Sequence, residues 1–128
     1  MQLIHTIYQP PGAGPYPTIL TLHGRGANAF DLLGLAPYVC GGKFLLICPQ
    51  APLETPIGPD ATGYAWYSMS QGGVMDIAGM LSSQQQLQNF LDDCLERYAI
   101  DLSKLVVLGF SQGGVMAYSL ALANPARF

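Results

Sequence analysis

The chain has 128 residues, half of them hydrophobic and only 10% charged, with a net charge of −3. Five scattered Lys and Arg form no basic stripe, which excludes a nucleic-acid binder that works by neutralising phosphates. The longest apolar runs, Phe44–Cys48 and Leu105–Phe110, are far too short to cross a bilayer, so no membrane partner is expected.

The length suits one domain, 1–128. Its first residues, MQLIHTIYQPPGAG, carry no positive stretch and no cleavage signal, so no signal peptide is expected. Strands are predicted at about Leu3–Tyr8 and Thr18–His23, separated by the turn-rich Gln9–Pro17. Asn28–Val39 carries Phe30, Leu32, Leu33, Leu35 and Val39, but Gly34 and Pro37 predict a short, broken helix. A third strand is predicted at Phe44–Pro49. Gln50–Gly79 then shows little regular pattern; a functional lid or site wall, or a hidden short strand, would account for it.

From Ser82 to Ala99, Leu87, Phe90, Leu91, Cys94, Leu95 and Tyr98 recur on one helical face, opposite Gln85, Gln88, Asp92, Asp93 and Glu96. A fourth strand, Leu105–Phe110, leads into a helix from Gln112 that ends before Pro125. Apolar strands alternating with helices predict an α/β domain with a mainly parallel sheet. The cysteines, Cys40, Cys48 and Cys94, are odd in number and lack CxxC spacing. They predict buried free thiols in a reducing compartment, hence a cytoplasmic protein.

SQGGVM occurs twice, at Ser70–Met75 and Ser111–Met116. Only the second copy follows an apolar strand and a glycine, giving Gly109-Phe110-Ser111-Gln112-Gly113 between strand and helix. This G-x-S-x-G context predicts a nucleophile elbow, with glycines where side chains would collide at the sharp turn. The first copy has Ser68 in place of that glycine and no buried parallel strand before it, so Ser70 is expected to be a loop residue. LHGRGAN (Leu22–Asn28) ends the second strand in a glycine-rich turn. With the elbow it predicts an oxyanion hole built from the backbone N–H groups of Arg25 and Gln112.

Taken in order, LHGRGAN, PQAP (Pro49–Pro52), the Trp of YAWY (Tyr64–Tyr67) and LVVLGFSQGGVMAYSLAL resemble the phospholipase/carboxylesterase family, small α/β-hydrolases related to acyl-protein thioesterases. The resemblance implies an α/β-hydrolase fold and a serine hydrolase of carboxylic esters or thioesters, without metal or organic cofactor. It implies that Ser111 is the nucleophile and that Trp66 lies near the acyl-binding site. Arg25 stands where the thioesterases commonly have an apolar residue, which speaks against a long-chain acyl preference. The absence of a strongly apolar lid segment in Gln50–Gly79 favours short soluble esters over lipids.

In this fold an acid and then a histidine follow the serine. Only 17 residues follow Ser111, and none is Asp, Glu or His. The remaining triad members are therefore expected beyond residue 128, and the chain alone is expected to be a poor esterase. His5 reads as structural, His23 as a brace for its own turn, Asp76 as too weak a substitute, and Cys94 as an inert core thiol. An incomplete sheet edge is also expected, open to a complementing C-terminal segment or to a second copy. The alternative is a catalytically silent relative used for binding or self-assembly.

Overall fold

The computed structural model describes residues 3–69 and 72–128; Ser70, and with it the start of the first SQGGVM, lies outside them. The chain runs through β1 (His5–Tyr8), β2 (Tyr16–Leu22), two 3-10 helices (Leu33–Tyr38 and Cys40–Gly42) and β3 (Leu45–Pro49). It continues through β4 (Leu53–Gly58), β5 (Ala61–Ala65), α1 (Ile77–Arg97), β6 (Ile100–Gly109) and α2 (Gln112–Ala123). The main sheet has the order β1-β3-β2-β6. β2 pairs in parallel with both β3 and β6, and β1 pairs antiparallel with β3.

β2 and β3 read as continuous apolar runs because both of their faces are covered. On one face Leu20, Leu22, Leu45 and Ile47 meet Leu87, Phe90 and Cys94 of α1, Met116 and Leu120 of α2, and Trp66. On the other, Leu46 and Cys48 pack against Ala36, Leu33 and Tyr8. α1 presents Ser83, Leu87, Phe90, Leu91 and Cys94 inward, the face expected from its spacing. Its start lies five residues before the expected Ser82, because the Asp76 side chain caps it by accepting from the Gly79 N–H at 3.0 Å. The broken helix after Asn28 is confined to 3-10 turns that include Pro37.

The irregular span before α1 contains the short-strand alternative in a fuller form, an antiparallel β4–β5 hairpin in a separate two-stranded sheet. β6 begins at Ile100 rather than Leu105, pairing with Tyr16 before the register shifts ahead of Thr18. Cys48 and Cys94 are buried free thiols. Cys40 corrects the expectation of burial, since it lies exposed in a 3-10 turn at φ 47°. No helix of the described residues is long and apolar enough to cross a membrane.

Candidate active site

β6 ends at Gly109 and α2 begins at Gln112, which leaves two residues to reverse the chain. Ser111 takes the strain, with φ 54° and ψ −117°, a conformation non-glycine residues rarely adopt. The flanking glycines make the turn possible. A Cβ on Gly109 would lie 2.1 Å from the Gly113 carbonyl oxygen, and one on Gly113 would lie 2.0 Å from that of Leu22. The two glycines therefore let α2 approach both β6 and the end of β2. The Phe110 N–H donates to the Leu22 carbonyl at 3.0 Å, tying the turn to β2. Ser111 is left exposed at the head of α2.

The second glycine-rich turn leaves β2 beside it. Gly24 packs on Phe110, where a Cβ would come 3.1 Å from the ring. Gly26 and Ala27 are held by β5: the Gly26 N–H donates to Tyr64 O at 2.8 Å, and the Tyr64 N–H donates to Ala27 O at 2.9 Å. Gly63 permits this approach, since a Cβ there would lie 2.0 Å from the Gly26 carbonyl oxygen. The hairpin thus fixes the turn that carries Arg25. Among the described residues, neither the Arg25 nor the Gln112 amide donates to another backbone group.

Trp66 joins the two turns from behind. Its backbone N–H donates to Gln112 Oε1 at 2.7 Å and its indole Nε1–H to His23 O at 2.8 Å. Gln112 Nε2 donates to Tyr67 O at 2.8 Å, and the Ser83 hydroxyl donates to Trp66 O. A buried glutamine with both ends of its amide used leaves little freedom to the first turn of α2. This side-chain role was missed in the sequence, although a polar side chain directly after Ser111, at the foot of a helix packed on the sheet, must find buried partners.

Ser111, Arg25 and Gln112 line one cleft of about 370 Å³, together with Tyr67, Met69 and Val115. Trp66, wholly buried, is not among the lining residues; its neighbour Tyr67 is. Val115, four residues after Ser111, shares its helical face, a spacing that sequence could have shown. Burial raises the Tyr67 phenol above its ordinary pKa. Among the described residues lining the cleft, Met69 and Val115 are apolar and Arg25 alone is charged.

No histidine stands at Ser111. His23 is buried, with Nδ1 donating to Gly24 O at 2.8 Å and Nε2 accepting from the Ala51 N–H at 3.0 Å. Burial lowers its pKa, so the ring is neutral and fully used. His5 lies on β1, at the opposite edge of the sheet from β6, within 2.7 Å of the Tyr98 hydroxyl. Burial raises the Cys94 thiol to about 12, which leaves it unreactive. Asp76 is occupied at the start of α1 and by the Ser68 hydroxyl at 2.9 Å. Among the described residues, no three His, Cys, Asp or Glu cluster as a metal site would require.

The family model described as Phospholipase/Carboxylesterase matches residues 5–128. Acyl-protein thioesterase 1 of Mycosarcoma maydis is 26% identical over 145 residues, covering 98% of this chain and 60% of that protein. Chlorophyllase type 0 of Chenopodium album is 31% identical over 121 residues, covering 91% of this chain and 31% of that protein. The crystal structure of esterase PE8 superposes with a TM-score of 0.82 at 24% identity, covering 98% of this chain and 60% of that one. Such a likeness establishes the α/β-hydrolase fold. The chain spans between about a third and three fifths of the length of these relatives and solved structures. With nearly all of its residues inside the family match and its sheet and helices laid out as in these structures, the chain belongs to the phospholipase/carboxylesterase family.

Proposed function

We propose that the protein is a serine carboxylesterase acting through an acyl-enzyme on Ser111. The observation that carries this reading is the strained, exposed Ser111 at the head of α2, sharing one cleft with Arg25 and Gln112. Ser111 Oγ attacks the ester carbonyl carbon and gives its proton to a base, while the two backbone N–H groups receive the oxyanion. The alcohol leaves with that proton. Water then attacks the acyl-enzyme, releasing the carboxylic acid and restoring the serine. Trp66 acts by bracing Tyr67 and Gln112, not by touching the acyl group. No step calls for a metal or organic cofactor, and the free cysteines suit a cytoplasmic setting.

The base comes from a segment outside this chain, because both histidines are engaged elsewhere. β6 is an open edge of the sheet, and beside it Val106, Phe110, Tyr118 and Leu122 expose apolar surface. That edge suits a complementing strand better than a second copy, since a second copy would bring no free imidazole. Without the segment, the chain is a nearly silent relative.

The test is hydrolysis of p-nitrophenyl acetate and butyrate by this chain and by the protein expressed from its full reading frame, each beside Ser111→Ala. Removal of the nucleophile should lower the full protein's rate by at least about 10³-fold, with the 128-residue chain near background. Hydrolysis undiminished in Ser111→Ala would overturn the reading.

A further inference from the structure

Arg25 is the one charged residue among the described residues that line the cleft at Ser111. Arg25 is exposed there, and its guanidinium donates to Thr55 Oγ1 at 3.3 Å. Among the described residues it has no carboxylate within ion-pair distance. Glu54 is adjacent in sequence to that threonine, but side chains alternate along a strand. Glu54 accordingly lines a different cavity, with Leu3, Gln50 and Gln86. The rest of the cleft wall, Tyr67, Met69 and Val115, is apolar or nearly so.

A guanidinium held by one hydroxyl keeps most of its donors available for a planar anion, while the facing wall takes a hydrocarbon stem. We infer that the substrates are amphipathic esters that carry an anionic group, a carboxylate in the simplest case, bound by the Arg25 side chain. This rests on Ser111 being the nucleophile, and it names the class of ester that site selects. The reaction is ordinary hydrolysis, ester and water giving acid and alcohol, with the anionic group unchanged throughout.

The test uses the protein from its full reading frame and compares kcat/KM for monophenyl adipate with that for phenyl hexanoate, esters of equal acyl length. The anionic ester should be favoured by about fivefold or more at low ionic strength, with the ratio collapsing in 1 M NaCl. Arg25→Gln should bring the ratio near one, and Arg25→Lys should restore part of it. A ratio indifferent to both salt and Arg25→Gln would overturn the inference. Binding of the unreactive amides adipamate and hexanamide, followed by NMR at the Arg25 and Ser111 amides, separates the two readings. If adipamate binds in a salt- and Arg25-dependent way but no ester is turned over, the nucleophile fails and the anion site stands. If Ser111-dependent hydrolysis is seen while adipamate binds no better than hexanamide, only the anion site falls.

Discussion

His23 shows how a single side chain sets both local structure and pH response. Burial depresses its pKa, and its neutral form is fixed by one donated and one accepted hydrogen bond. In the unfolded chain the ring titrates near about 6.5. Between that value and the lower folded one, the unfolded state binds more protons, so stability falls as pH falls through this window. Denaturant titrations at pH 7.5 and 5.0 should show this loss. In His23→Gln the loss should be smaller, because the amide does not titrate there. The lowered carboxyls of Asp76 and Asp101 act in the same direction, but only below about pH 4, the ordinary carboxylate range. An unchanged pH dependence in His23→Gln would contradict the assigned role. The site's two neighbouring aromatics also show the limit of reading residues singly. YAWY announces an aromatic near the site, but which ring faces the cleft depends on a backbone path that alternation in a four-residue stretch does not define. Both residues are buried, but Tyr67 lines the cleft and Trp66 does not.

Among the elements, the strands of the main sheet were legible and the β4–β5 hairpin was not. β2 and β3 stand out as apolar runs because the sheet is covered on both sides. The β4–β5 hairpin has no such signature: in β4 only Thr55 is buried, so no alternation marks the strand. Its hold on the Arg25 turn comes from backbone hydrogen bonds, which any sequence with a suitable glycine could make. That glycine gives a direct test. Gly63→Val would push a side chain into the Gly26 carbonyl and should cost at least about 2 kcal/mol, with a fall in turnover as the Arg25 turn shifts. Gly34→Ala, where an added Cβ meets nothing within 4 Å, should change stability by no more than about 0.5 kcal/mol. Equal stability of the two variants by urea unfolding would show that the hairpin does not brace the turn.

At the scale of the whole molecule, the α/β layering, the G-x-S-x-G turn and the glycine turn at Arg25 could all be read from order and spacing. Each is local: strand, turn and helix are contiguous in sequence. The clamp through Gln112, Trp66, Ser83 and His23 could not, because its hydrogen bonds join residues 17 to 46 positions apart. The molecule holds Ser111 on a strained turn at one end of an open sheet edge, β6, with both histidines engaged far from it or behind it. The proposed esterase chemistry stands on Ser111 as the nucleophile. The most direct measurement is to treat the protein from its full reading frame with a fluorophosphonate and map the adduct by peptide mass spectrometry. The adduct should lie on the peptide containing Ser111 and vanish in Ser111→Ala; an adduct on another serine, formed equally in that variant, would contradict it.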